Sequence, residues 1–245
     1  MEGVVNKQEI LRQLREKLEV LEGFRPLPQE RQLDFGLGPM ADAFPGRCLP
    51  MGAVHEFISP SPACAAASTG FISGLLSTLM KNGSICLWVS TRRSLFPPAL
   101  KSFGIEPHQV IFVDVRNEKE ALWTMEQGLK CKSLSAVVAE LREVSFDESR
   151  RLQLAVEESR VTGFLHRLQP RSENTLACVS RWKIRPLPSV VSDGLPGVGF
   201  PLWEVELVKI RNGRPGIWSV GWRDGAFHHT PVTEVAMSQV EKRYA

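Results

Sequence analysis

The sequence predicts an α/β protein: a mainly parallel central sheet flanked by helices, with an added helix at the N-terminus and an antiparallel β-hairpin near the C-terminus. Three observations carry this. From Ala53 to Ile184 short, near-continuous apolar runs alternate with helical patterns, the signature of strands buried on both faces. After Pro186 the pattern changes to apolar–polar alternation on either side of a Gly/Pro turn. The composition, 43% hydrophobic and 23% charged over 245 residues, is that of a globular chain long enough to bury a sizeable core.

Taken in order, Asn6 caps a helix starting at Lys7 that Gly23 ends. Its Leu11, Leu14, Leu18 and Leu21 form one narrow apolar seam, expected to serve self-association or partner docking. Residues 24–50, rich in Pro and Gly, read as an irregular connector. Residues 53–59 are a strand, and a small-residue segment leads into a helix over 67–81. Strands follow at 84–90, 109–115, 134–141, 161–168 and 175–184. Between them lie a short Pro-started helix at 97–103 and helices at 118–130 and 147–160, the last capped near Ser145 or Asp147. A Pro/Gly/Ser-rich loop over 186–201 precedes the hairpin strands 203–210 and 217–222, and the tail beyond Arg223 is weakly patterned. Three regions result: 1–50 as helix and connector, 51–223 as the core including the hairpin, and 224–245 as a tail.

The net charge of +3 is too small to declare a nucleic-acid binder. It is uneven, however: residues 171–223 hold eight basic against four acidic residues and four of the six Trp, while residues 1–170 are neutral. Five Cys, no two closer than sixteen residues, form neither a disulfide framework nor a CxxC metal motif, so a reducing cytoplasm is expected. The N-terminus lacks the apolar run of a signal peptide, and no stretch reaches the roughly 20 apolar residues of a membrane span. His228 and His229 are adjacent and would face opposite ways on a strand, so no metal is expected. No GxSxG elbow is present, and Ser68 and Ser90 lack an identifiable base.

Ligands of such sheets gather at the carboxyl ends of the strands, which makes the first strand–helix junction the place for a phosphate-binding loop. That loop needs glycines whose amides converge, a Lys for the phosphates and a Ser/Thr for magnesium. Residues 59–68 read SPSPACAAAS: no Gly before Gly70, no Lys before Lys81, and two prolines that delete backbone donors. No cofactor is expected here.

Leu49-Pro50-Met51-Gly52 followed by Ala53-Val54-His55-Glu56-Phe57 resembles the approach to the P-loop strand of the RecA-type ATPase core. In that register Ser59 and Cys64 stand at the two P-loop glycines, Ala65 at the Lys, Ala66 at the Thr, Arg92 at the Glu that activates water, and Glu140 at the Walker B acid. The resemblance implies a RecA-like, P-loop-type core with a degenerate nucleotide site and no ATP hydrolysis. A more specific likeness lies in His55-Glu56-Phe57, the run from Glu120 to Leu129 (EALWTMEQGL), Ala136 to Glu140, Ser149 to Ala155, Ser180-Arg181-Trp182-Lys183-Ile184, Pro186-Leu187-Pro188-Ser189 and Gly213-Arg214-Pro215-Gly216. Together these are similar to ImuA, a family of catalysis-deficient RecA homologues loosely grouped with SulA-like proteins; the likeness spans Gly52 to Trp222. It implies a non-enzymatic accessory role in SOS-type, damage-induced translesion DNA synthesis. The implied partners are the polymerase-like ImuB, RecA and, indirectly, an error-prone polymerase III alpha-type subunit.

The basic residues Arg181, Lys183 and Arg185 with the interleaved Trp182 form a candidate surface for a protein partner or for weak DNA contact. The other reading of that run is an exposed strand face over a buried Trp182. Two rival functions follow: a single-stranded DNA binder that modulates RecA filaments, and a residual ATPase with a rewired site.

Overall fold

The computed structural model describes residues 33–81, 83–190 and 199–229. Leu11, Leu14, Leu18 and Leu21 lie outside the described residues. Nine strands form one sheet in the order β3-β2-β4-β5-β1-β6-β7-β8-β9. They are β1 (Val54–Ser59), β2 (Ile85–Ser90), β3 (Val110–Asp114), β4 (Leu134–Leu141), β5 (Thr162–Leu168), β6 (Ser180–Val190), β7 (Phe200–Ile210), β8 (Gly216–Arg223) and β9 (Ala226–His229). Pairings from β3 through β6 are parallel and those from β6 to β9 antiparallel. The helices are α1 (Pro62–Leu79), α2 (Glu118–Lys130) and α3 (Phe146–Ser159).

Each helix starts where its sequence satisfies the orphan amides of a first turn. Asn117 accepts from the Glu120 amide at 2.9 Å, and Ser145 with Glu148 forms a reciprocal capping box. Helix α1 starts five residues before the position expected from periodicity. Ser61 caps it through the Cys64 amide at 3.2 Å, and Pro62, whose missing N–H costs nothing at that position, sits at the first helical residue. Length and composition alone would let α1 cross a membrane, yet 61% of it is buried inside the fold.

One face of the sheet packs on α1, where Phe57, Phe71 and Trp182 meet; Phe57 and Trp182 stack with ring centroids 5.9 Å apart. The other face buries Val54, Val137 and Leu165 under α2 and α3. Residues 33–50, expected as a connector outside the core, belong to the first cluster: Phe35, Leu37, Met40, Phe44 and Leu49 are all buried there. They fold as short 3-10 turns at Gly38–Ala43 and Pro45–Arg47, which have no helical periodicity for a sequence reading to find.

Two further differences have physical causes. The segment expected as a Pro-rich loop is strand as far as Val190: β6 pairs with β1 only over Ser180–Trp182, and beyond that its second edge has no strand partner among the described residues, where a Pro lacking an N–H is tolerated. The segment expected as tail supplies β9, reached through Asp224 and Gly225, both at positive φ as a tight hairpin turn demands. At the other end of β6, residues 175–179 are outside the ladder: Ala177 donates its amide to Ser149 Oγ at 3.0 Å instead.

The aromatic side chains of β8 and β9 close over α1 at Gly74, where an added Cβ would stand 2.5 Å from Phe227 and 3.0 Å from Trp222. Alanine would favour the helix by about 1 kcal/mol, but overpacking costs about 1–3 kcal/mol, and rigid rings cannot swing aside. Gly74→Ala is therefore expected to lower the urea midpoint; an unchanged or raised midpoint would count against this packing.

Candidate functional site

The carboxyl ends of β1, β4 and β5 meet the first turns of α1, where a nucleotide-binding core would hold phosphate. Three of the positions there offer no free amide. Pro62 has none, Cys64 donates to Ser61 Oγ, and Ala65 donates to the Ser61 carbonyl at 2.9 Å. Cys64 is itself buried, with Ala65 and Ala66 facing a cavity of about 670 Å³. Gly70 on α1, Phe96 and Phe103 from the segment after β2, His166 on β5 and Trp203 on β7 complete its walls. None of its lining residues among the described ones is Asp, Glu, Lys or Arg.

Ser59, at the end of β1, is fully buried; its Oγ lies 2.9 Å from Ser68 Oγ and 2.9 Å from His166 Nε2. Ser59 and His166 are 107 positions apart, so no local pattern announces the pair. It is not a nucleophile with its base. The serine has no access, and His166 Nδ1 is buried with no hydrogen-bond partner among the described residues, whereas a working triad orients that nitrogen. Burial pushes the His166 imidazole down to about 4, so the ring is neutral at pH 7.

Glu140, opposite His166 in the β4–β5 register, is almost fully buried. Its carboxylate accepts from Trp88 Nε1 at 3.1 Å and from Ser94 Oγ at 3.5 Å, and burial pushes its pKa up. A Walker B acid needs a cation to coordinate; this one has a tryptophan and a serine. Arg92 stands exposed after β2, where RecA-type enzymes place a general base. The six positions expected at a degenerate nucleotide site thus divide: Ala65 and Ala66 line the cavity, Ser59 and Glu140 are buried behind it, Cys64 caps into α1, and Arg92 is at the surface.

The basic run on β6 is not an open cationic surface. Trp182, a candidate for partner or DNA contact, is fully buried, with its Nε1 donating to Ser180 Oγ at 2.7 Å; its alternation with Arg181 and Lys183 points it into the α1 face. Arg181 binds Glu56 Oε2 at 2.6 Å and the Asn174 carbonyl at 2.5 Å. Lys183 pairs with Glu173 at 2.8 Å, and Arg185 with Glu204 at 2.5 Å and Glu206 at 3.0 Å.

Sequence reading gave no sign of the ionic cluster beneath that strand. Glu56 on β1, 1% exposed, takes Arg167 of β5, 0% exposed, at 3.0 Å and Arg181 on its other oxygen. Arg167 also donates to the Ser172 carbonyl at 3.0 Å, and Glu143 Oε1 accepts the Arg171 amide at 2.6 Å. The loop after β5 is therefore clamped to the protein's own core. The signal was present only as a charged residue in an otherwise apolar strand, VHEFIS.

Among the described residues no group of three or more His, Cys, Asp or Glu is placed to hold a metal. His228 and His229 diverge: His228 Nε2 contacts the Arg223 carbonyl, while burial lowers the pKa of His229.

No protein-family model matches the chain. A crystal structure of the RadB recombinase shares its fold, with a TM-score of 0.57 over 81% of this chain and 100% of that one, at 15% identity. The proteins named Protein ImuA of Caulobacter vibrioides, from strains NA1000 / CB15N and ATCC 19089 / CIP 103742 / CB 15, are each 36% identical to it over 198 residues, 76% of this chain and 81% of theirs. A RecA-like sheet whose first strand–helix junction carries Ser61-Pro62 and alanines in place of a phosphate-binding loop, joined to that level of identity, has one reading: the chain belongs to the ImuA family.

Proposed function

We propose that this chain is a non-catalytic accessory protein of damage-induced, error-prone translesion DNA synthesis in the cytoplasm, acting through contacts with ImuB and RecA and, through them, with an error-prone polymerase III alpha-type subunit. The observation that supports this best is the chemistry of the old nucleotide site. A triphosphate placed there would be desolvated against alanines and aromatic rings, with no cation among the described lining residues and no glycine-rich loop at the junction. Family membership supports the pathway, and the loss of phosphate-binding groups at this junction argues for contact in place of catalysis.

The test is twofold. Purified protein is expected to show no saturable ATP binding and no ATP hydrolysis, and tagged protein recovered from DNA-damaged cells is expected to bring down ImuB and RecA. ATP turnover abolished by changes at Ala65 would refute the non-catalytic reading, and recovery of neither partner would refute the accessory one.

The single-stranded DNA reading loses its main support because Arg181, Lys183 and Arg185 each hold an acid of the same chain. A phosphate would have to displace that acid. Arg181→Ala with Lys183→Ala is accordingly expected to leave any salt-dependent DNA binding unchanged.

A further inference from the structure

An emptied nucleotide site need only fill with side chains or close. This one has done neither. The small side chains of Ala65, Ala66 and Gly70 leave about 670 Å³ open, within the range of about 300–1,000 Å³ typical of ligand pockets. Gly70 faces Trp203 so closely that a Cβ would come within 2.8 Å of the indole. At the rim Phe96 is 68% exposed, a large aromatic left in water. Inside, His166 lines the wall with Nε2 committed to Ser59, while its Nδ1 is buried and unpartnered among the described residues. Such an orphan is destabilising unless something supplies the missing bond.

We infer that this cavity is a docking socket for a short, uncharged, apolar peptide segment of a protein partner. An aromatic or branched side chain of the segment enters between α1 and Trp203, and one of its polar atoms reaches His166 Nδ1. Charge complementarity selects the occupant. The described lining residues carry no charge, and of the cations nearby Arg93 is paired with Asp114 and Arg185 with Glu204 and Glu206. A nucleotide or an acidic segment would bury its charge unpaired. A free small molecule would fill the hollow and leave Phe96 in water, whereas a peptide crossing the rim covers that ring, as interface anchors are covered.

The inference rests on the reading of the chain as an accessory protein that works by contact. Ala66, exposed on α1 and facing the cavity, allows the hollow to be plugged without entering the core. Full-length wild type, Ala66→Trp, Phe96→Ala and Trp123→Ala are compared for binding to the ImuB chain and to short overlapping peptides tiling it, with the neutral dye Nile red as a competitor. Trp123, 61% exposed on α2 across the sheet, is the control surface. With melting temperatures matched, Ala66→Trp and Phe96→Ala are expected to bind at least about tenfold more weakly, and Trp123→Ala as wild type does. The peptides that displace Nile red are expected to be apolar and free of Asp and Glu. Full binding by Ala66→Trp and Phe96→Ala, or displacement by acidic peptides, overturns the socket and leaves the accessory reading standing. If wild type binds no ImuB, the socket loses its occupant and is overturned, and the accessory reading fails with it where RecA is not recovered either.

Discussion

Replacing Arg167 with Leu is expected to destabilise the protein by about 3–5 kcal/mol at pH 7, the cost of leaving a buried charge without its partner. The guanidinium is wholly buried and holds Glu56 at 3.0 Å, the Ser172 carbonyl at 3.0 Å and Glu143 at 3.4 Å. Leucine matches the apolar stem but none of these bonds. Glu56, 1% exposed, would then depend on Arg181 alone. Since native domains are stable by about 5–15 kcal/mol, the variant should show a large fall in urea midpoint. A cycle with Glu56→Gln should be non-additive, because the second change removes the charge that the first has orphaned. The amides of Arg171 and neighbouring loop residues should exchange faster in the variant, since Arg167 and Glu143 together tie that loop down. A loss under about 1 kcal/mol would mean the cluster is solvated and the loop free.

That cluster marks where sequence reading stops. Helix α2 and strand β4 were legible to the residue because their signals are local: an Asn cap with Glu120 behind it, and an unbroken apolar run. Helix α3 was legible to one residue for the same reason, Ser145 and Glu148 forming the box. The pairing of Glu56 with Arg167 depends on which strands become neighbours, and β1 lies between β5 and β6 only through crossovers that no single segment encodes. The same holds for Ser59 with His166. Trp182 was open between two readings because alternation gives a side chain's face but not which face is covered; α1 and Phe44 settle it. The expectation of a degenerate phosphate site could be formed from residues 59–68 alone, since missing glycines and Lys need no tertiary context. That the vacated space stays open as an apolar cavity was not readable, because Phe96, Phe103 and Trp203 come to it from distant segments. The Asp224-Gly225 turn is a different case: its signal is local, and it announces β9 as clearly as Asn117 announces α2.

Acid should undo the fold well before ordinary carboxylates are neutralised. His55 and His166 are both buried, and burial lowers each from 6.5 to about 4. His55 is held neutral by its surroundings: Nε2 donates to the Pro50 carbonyl at 2.7 Å, which leaves Nδ1 to accept from Ser180 Oγ at 2.6 Å. A histidine whose folded pKa is depressed contributes stability that is present above its unfolded pKa and lost as pH falls towards the folded one. Each shift corresponds to about 3 kcal/mol, so the pair removes up to about 6 kcal/mol between pH 6.5 and 4. Glu140 runs the other way, its raised pKa favouring the folded state as the carboxyl takes up a proton, and offsets part of the loss. Urea unfolding at intervals from pH 7.5 to 4 should give a slope approaching two protons near pH 5, and His166→Gln should cut it to about one. A flat profile would show that neither ring is sequestered as neutral. Because His166 also lines the apolar cavity and is the one residue among the described lining that titrates in this range, acid charges the socket as it weakens the fold. Nile red release should therefore begin no later than unfolding, and in His166→Gln it should follow the unfolding curve alone.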